Sequence, residues 1–170
     1  MSSRVDAAPD VVGAYRATAY FLREVHRRGD AGLEEPEVAR RVATIGYDAR
    51  GAAHIAEQAR LGVILPRGWD EPAQRLRAIE DGVSLPGHAL RHLVHHSSVH
   101  LRVEWRDLPT DRWTWPAVAD DGEEIVVADL VRRREIEVWA AALAIQQHDG
   151  RSAVPPELLD EVLEHRDATG

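Results

Sequence analysis

The spacing of apolar residues along this chain is that of α-helices, and proline and glycine mark the points at which helices begin and end. Apolar residues recur every three or four positions over most of the 170 residues, which is the period of one face of an α-helix. Gly29 and Gly62 end long apolar patterns, and Pro36 and Pro86 begin them. The pattern predicts helices over residues 10–28, 36–61, 71–80, 86–107, 128–147 and 155–165.

Four of these predicted helices are long, so we expect an all-α fold, a four-helix bundle with short extra helices. Residues 109–126 interrupt the helical pattern with prolines and a glycine, and they carry Trp113 and Trp115. They are predicted to form an irregular loop with one short extended piece, over one end of the bundle. Since no linker or internal repeat divides the sequence, we expect residues 1–170 to form a single domain.

The composition excludes several classes of function. The chain has no cysteine, so it has no thiolate zinc site and no cysteine nucleophile. Its formal net charge of -8 argues against a nucleic-acid partner, because phosphate binding depends on clustered cations. No apolar run approaches the roughly 20 residues that a membrane span needs, and the N-terminus does not resemble a signal peptide. We therefore expect a cytoplasmic protein with a small-molecule substrate.

Two carboxylates lie on apolar faces of predicted helices. Glu135 falls on the apolar face of helix 128–147, four residues before Trp139, and Asp48 falls on that of helix 36–61. If both helices face one interior, the two carboxylates converge there. Burial and like charge would then separate their pKa values, which allows one site to hold an acid and a base.

An alternative interpretation makes these carboxylates structural. Arg41, also on the face of its helix that carries Asp48, and Arg134, beside Glu135, could neutralise them in buried salt bridges. Trp139 is open to the same two interpretations, since it could fill core volume or form one wall of a pocket. Tyr15 could exchange protons in such a pocket, and Trp113 could form another wall.

The helix predicted over residues 86–107 carries an unusual number of histidines. They lie mostly opposite its apolar face, together with Val99. This surface could be a subunit interface, which we favour and which would make the protein a homodimer, or plain solvated surface, or a metal site using pairs such as His92 and His96. The histidines are His88, His92, His95, His96 and His100.

The segment that begins Arg134-Glu135 resembles the last bundle helix of the mycothiol-dependent maleylpyruvate isomerase-like proteins, a branch of the DinB-like four-helix superfamily. In that family an Arg-Glu-x-x-x-His run supplies a Glu and a His to a zinc site. A second His comes from a His-Leu-Ala-x-Asn-Ala-x-Gly pattern on an earlier helix. Here Trp139 and Thr44 stand at the two His positions. The resemblance therefore implies the fold and a degenerate zinc site, since an indole offers only an N–H donor.

The resemblance extends over most of the chain. The stretches RLRAIEDG, LPTDRW and VPPELLDEVL are similar to other family segments, in the same order. Many members carry a further domain similar to sterol-carrier proteins, which we do not expect in this chain. We expect no zinc, and mycothiol is the cofactor that the resemblance suggests.

Three functions follow as hypotheses. The first is a zinc-independent enzyme that isomerises, dehydrates or cyclises a biosynthetic intermediate by proton transfer. The second is a non-catalytic, dimeric ligand-binding or regulatory module. The third is a mycothiol-dependent metalloenzyme with new ligands, for example His26 with the two carboxylates. In the first hypothesis Glu135 and Asp48 are catalytic, and the residues that bind substrate are Thr44, Trp139, Arg134, Arg41, Tyr15 and Trp113.

Overall fold

A computed structural model describes residues 8–169 of the chain, and it confirms the all-α class. Three short 3-10 turns connect the longer elements, at Thr110–Arg112, Arg151–Ala153 and Pro156–Leu158. The α-helices and strands are α1 (Val12–Leu33), α2 (Pro36–Arg60), α3 (Pro72–Val83), α4 (Gly87–Asp107), β1 (Pro116–Val118), β2 (Glu124–Val126), α5 (Asp129–Ile145) and α6 (Leu159–Ala168).

The four long helices form a ring in which each packs against two neighbours. The most extensive contact is between α2 and α4, followed by α1 with α5 and α1 with α4. The contact between α2 and α5, which closes the ring, is the sparsest of the four. The two shorter helices border this seam, since α3 packs on α2 and α6 packs on α5. The seam between α2 and α5 is therefore a groove with a helix on either side.

Small residues on α2 allow α4 to approach closely. Five alanines between Ala49 and Ala59 are buried, and a Cβ placed on Gly46 would lie 2.9 Å from Cγ of Leu93. Helices that meet through small side chains have short interaxial distances. α2 therefore packs closely against α4, whereas its contact with α5 is sparse and leaves the groove between them open.

Besides shifts of up to four residues at helix ends, two details differ from the sequence prediction. The first helix does not end at Arg28, because α1 kinks at Gly29, where φ is 65° and ψ is 170°, and resumes to Leu33. Glycine adopts this conformation without the strain that a Cβ would cause. The loop over residues 109–126 contains two extended pieces where one was predicted, since β1 pairs antiparallel with β2.

Among residues 8–169, no helix is both long enough and apolar enough to cross a membrane.

Candidate functional site

The groove between α2 and α5 contains two adjoining cavities, with volumes of about 280 and 200 Å³. Asp48 from α2, Arg75 from α3 and Glu137 from α5 line both of them. The larger cavity extends towards the hairpin of β1 and β2, and the smaller one extends towards α6. We call these residues and the two cavities together the α2–α5 groove. Taken together, the two adjoining cavities fall within the size range of small-molecule pockets, roughly 300 to 1,000 Å³.

An arginine clamp fixes one carboxylate of the groove. Nε and Nη2 of Arg75 donate to the two carboxylate oxygens of Asp48 at 2.7 and 2.9 Å. The same Nε lies 3.3 Å from Oδ2 of Asp120, in the hairpin loop. Two parallel hydrogen bonds set the orientation of the carboxylate as well as neutralising it. Arg75 therefore holds the helix carboxylate and the loop carboxylate in one arrangement.

Glu137 is a carboxyl group of the groove with a strongly raised pKa. Burial, and then the negative charge of Asp48, raise its pKa from 4.5 to about 7. The positive charges of Arg134 and Arg75 act in the opposite direction but do not outweigh them. A carboxyl group whose pKa is near 7 can give or take a proton at neutral pH, as a general acid or base must.

Asp120 has a related environment at the hairpin end of the groove. Burial raises the pKa of its carboxyl group, the charge of Asp48 raises it further, and Arg75 opposes both. Asp48, Asp120 and Glu137 therefore lie around the clamp arginine, in a cavity that Asp121, Arg133 and Arg134 also line. Burial and the negative charge of Asp48 favour the protonated forms of Glu137 and Asp120.

Arg134 of α5 is buried, with 3% of its surface exposed. Its Nη1 donates to the backbone carbonyl of Ile45 at 2.8 Å and so joins α5 to α2. Within residues 8–169 the protein offers no hydrogen-bond acceptor to Nε or Nη2 of this guanidinium. Burial lowers the pKa of Arg134, and the charges of Glu137 and Asp48 oppose the shift. An arginine so placed is a cation with unused donors.

The structure separates the two carboxylates that the sequence predicted to converge. Asp48 lies in the α2–α5 groove, but Glu135 packs against Gly13 of α1 and lines a different cavity, of about 420 Å³, with Asp10 and Glu157. The expectation of one shared interior is therefore wrong. Side chains two positions apart in an α-helix point about 200° apart around its axis. Glu137 therefore points to the groove, and Glu135 does not. Burial does raise the pKa of Glu135.

The other predicted site residues divide between the groove and the rest of the bundle. Thr44 and Arg41 line the smaller groove cavity. The expected salt bridges of Asp48 with Arg41 and of Glu135 with Arg134 are not formed, since Asp48 pairs with Arg75 and Arg134 turns towards α2. The aromatic residues Trp139, Tyr15 and Trp113 lie outside the groove cavities.

Each aromatic residue has its own surroundings. Trp139 is 1% exposed, and its ring lies 5.1 Å from that of Tyr20, centroid to centroid. Trp113 is also buried, and the centroid of its ring lies 6.2 Å from that of Trp105. Tyr15 lines a pocket between α1 and α4. Trp139 and Trp113 therefore have the positions of core side chains. The structure does not place them as walls of the α2–α5 groove.

The residues of this chain do not fit the zinc site that the resemblance implies. Trp139 is enclosed in the core, and the Thr44 hydroxyl donates to the carbonyl of Arg40 at 2.8 Å. No group of three or more His, Cys, Asp or Glu side chains with metal-binding geometry occurs among residues 8–169, whereas zinc sites use three or four protein ligands. The alternative ligand set of His26, Asp48 and Glu135 is also wrong, because Asp48 and Glu135 line separate cavities.

Known structures include proteins with a fold similar to that of this chain. No family model and no curated protein sequence matches the chain. Its structure is similar to crystal structures of the mycothiol-dependent maleylpyruvate isomerase and of a mutant of that enzyme, each with a TM-score of 0.80 and 23% sequence identity. The match covers 92% of this chain and 65% of the isomerase chain. This likeness confirms the DinB-like helical fold predicted from the sequence.

Proposed function

We propose that this protein is an enzyme that moves a proton on a small carboxylic acid in the α2–α5 groove, without zinc. The observation that carries the proposal is Glu137, whose pKa is raised to about 7 by burial and by Asp48 in a cavity of ligand size. Perturbed carboxyl groups in cavities are more frequent at catalytic sites than elsewhere. The similarity in fold to an isomerase supports the choice of reaction class.

Four residues of the groove have parts in the proposed reaction. Glu137 is the general acid and base. Asp48, held by Arg75, keeps a negative charge beside Glu137 and so maintains its high proton affinity. Arg41 lines the smaller cavity, where its guanidinium binds the carboxylate of the substrate in two parallel hydrogen bonds.

The proposed step is a proton shift within one molecule. The Glu137 carboxylate removes a proton from a carbon next to a carbonyl group, and the electron pair of the broken C–H bond forms the enolate. The carboxyl group exchanges its proton with water and then gives a proton to another carbon of the conjugated system. The double bond has moved, no atom is gained or lost, and no oxidant is needed. Mycothiol has no step in this reaction, because Thr44 and Trp139 stand at the two positions where the family that the chain resembles has its zinc-binding histidines.

The test is solvent exchange, which detects the proton transfer even when the product is unidentified. A panel of small 2-oxo and unsaturated acids, including maleylpyruvate, is incubated with the protein in D₂O, and deuterium at carbon is followed by NMR. We expect exchange with at least one acid for the wild type and for Glu135→Gln, but not for Glu137→Gln. Glu135 is a matched control on the same helix, since it faces another cavity.

Four results would contradict the proposal. Exchange that survives in Glu137→Gln would remove Glu137 from the reaction. Exchange lost only in Glu135→Gln would move the chemistry to the cavity beside Gly13. No exchange with any acid, together with no binding of these acids by calorimetry, would leave the groove without an enzymatic role. Mycothiol is tested in the same calorimetric series, and turnover that required it would contradict the cofactor-free reaction.

We also propose that the protein is a dimer through the histidine-bearing face of α4. The five histidines between His88 and His100 are all exposed, and Val99 on the same side is 49% exposed. The rings of His92 and His96 stack with their centroids 5.7 Å apart. Neutral imidazoles beside an exposed valine can be buried against a second copy, whereas charged ones resist burial.

A further inference from the structure

A further pocket lies between α1 and α4, outside the α2–α5 groove. Its volume is about 130 Å³. Apolar side chains make up most of its lining, among them Leu22 of α1 with Leu101 and Trp105 of α4. It shares one lining residue with the larger groove cavity, the buried Arg134. We call it the α1–α4 pocket.

Three residues that line the α1–α4 pocket carry buried donors without a protein acceptor. They are Nε and Nη2 of Arg134, Nε1 of Trp105 and Oγ of Ser98, none of which has a hydrogen-bond partner within residues 8–169. Buried polar atoms are nearly always hydrogen-bonded in native proteins, and exceptions point to a missing partner or a functional role. Three such residues around one small pocket point to an acceptor that the protein itself does not supply.

The charge of Arg134 defines the kind of acceptor. Arg134 is 3% exposed, and within residues 8–169 its one side-chain hydrogen bond goes to a neutral carbonyl, that of Ile45. A buried cation without a hydrogen-bonded anion is costly. An anionic group that reaches Nε and Nη2 would satisfy both donors at once, in the geometry that arginine and a carboxylate share.

The size and lining of the pocket define the rest of the ligand. A cavity of about 150 Å³ lined by apolar side chains accommodates a benzene ring, and this pocket is only slightly smaller, at about 130 Å³. Leu22, Leu101 and Trp105 can pack against such a ring. Near the surface, the guanidinium of Arg102 lies 5.0 Å from the ring centroid of Tyr15. A positive charge there favours the approach of an anion.

We propose that the α1–α4 pocket binds a small apolar carboxylate, about the size of a single ring, with its carboxylate on Arg134 and its apolar body between α1 and α4. This site is separate from the proposed active site and does not depend on the proposed reaction. Arg134 lines both cavities, so a ligand here would also change the charge that Glu137 experiences.

Benzoate is the probe, and benzamide is the control of equal shape without the charge. Binding is measured by calorimetry, and the site is identified by NOEs from the ring protons to protein methyl groups. We expect NOEs to Leu22 and Leu101, and benzoate affinity at least about tenfold above that of benzamide, because hydrogen bonds to charged groups are the stronger ones. Benzoate NOEs confined to groove residues such as Ile45 would overturn the site, and so would the absence of binding.

Two variants separate the site from its anchor. Ala19→Trp places a large ring on an exposed lining position of α1 and should abolish benzoate binding. Ala31→Trp, at an exposed position further along the same helix, should leave it unchanged. Arg134→Met should reduce benzoate affinity to that of benzamide. If Arg134→Met does not fold, Ala19→Trp still tests whether benzoate binds in the α1–α4 pocket. The comparison with benzamide then tests whether binding depends on the negative charge of the ligand. Equal binding of benzoate and benzamide to the wild type would overturn the anchor.

Discussion

Arg75 donates two hydrogen bonds to Asp48, at 2.7 and 2.9 Å, across 27 residues of sequence and between two helices. This pair defines the α2–α5 groove, because it fixes the charge that, together with the larger effect of burial, raises the pKa of Glu137. The fold makes the pair possible by packing α3 on the outer side of α2. The proposed acid–base chemistry therefore depends on an element that does not belong to the four-helix core.

Replacing Glu137 should change stability in a pH-dependent way. Its pKa is raised from 4.5 to about 7 in the folded protein, so the folded state binds more protons than the unfolded state between these values. The stability of the wild type therefore falls as pH rises through this window and stays reduced above it. We expect Glu137→Gln to be more stable than the wild type by about 1 to 3 kcal/mol at pH 8, after allowance for partial exposure, and nearly equal at pH 5.

Urea unfolding at the two pH values checks this prediction. The control is Glu164→Gln, at an exposed position on α6. It should change the free energy of unfolding by a similarly small amount at pH 5 and pH 8. A Glu137→Gln variant with the same stability difference at pH 5 and pH 8 would show that Glu137 is ionised normally. The proposed role in proton transfer would then lose its main support.

Removing the clamp should destabilise the protein. In Arg75→Met the carboxylates of Asp48 and Asp120 keep their positions but lose the cation between them. Breaking a well-buried pair costs about 3 to 5 kcal/mol. The side chains of Arg75 and Asp48 are 23% and 12% exposed, so we expect a smaller loss, about 1 to 3 kcal/mol at pH 8.

A more exposed ion pair provides the control for the clamp. Arg91 and Asp30 are 41% and 47% exposed, and Arg91→Met should cost less than about 1 kcal/mol. Both variants are measured by urea unfolding. Equal effects of the two substitutions would mean that the groove is as well solvated as the surface, which contradicts the burial on which the shift of Glu137 rests.

The proposed dimer should weaken in acid. The histidines of α4 are exposed in the single chain, and a protonated imidazole carries a positive charge. Five cations facing their counterparts across a two-fold interface would repel each other. Sedimentation equilibrium at pH 7.5 and pH 5.5 should show a dimer and a monomer, respectively, and Val99→Glu should be monomeric at both. Identical sedimentation of the wild type at the two pH values would refute this interface.

The sequence was sufficient to predict the helices and the fold, but only part of the site. Helix ends were predictable because proline and glycine act locally, as at Pro36 and Gly62. Asp48 was identified because α2 has one clearly apolar face. Glu137 was missed because α5 is buried on nearly all sides, including at Ile136 and Val138. Periodicity therefore could not show which of its two glutamates points to the groove. The partnership with Arg75 depends on how α3 packs, which spacing along the chain does not determine.

The geometry of the groove indicates how a zinc site could be built into this chain. Thr44, Glu137 and Ala141 line the same cavity, and Ala141 follows Glu137 by one helical turn, on the same face. Histidines at 44 and 141 would therefore bring two imidazoles to the Glu137 carboxylate, which makes the three protein ligands of an open zinc site. By contrast, position 139 does not line this cavity, because Trp139 is packed against Tyr20 in the core.

We expect the double variant T44H/A141H to bind zinc near stoichiometry, as measured by plasma mass spectrometry after dialysis. Zinc should be lost when Glu137→Gln is added, because two imidazoles alone hold the metal weakly. T44H/W139H, which restores histidine at the positions that the sequence resemblance assigns, is the control and should bind little zinc. Stoichiometric zinc in the control, and none in T44H/A141H, would show that Glu135 and residue 139 face the groove and that Glu137 does not. That result would contradict the arrangement of α5 on which the proposed mechanism rests.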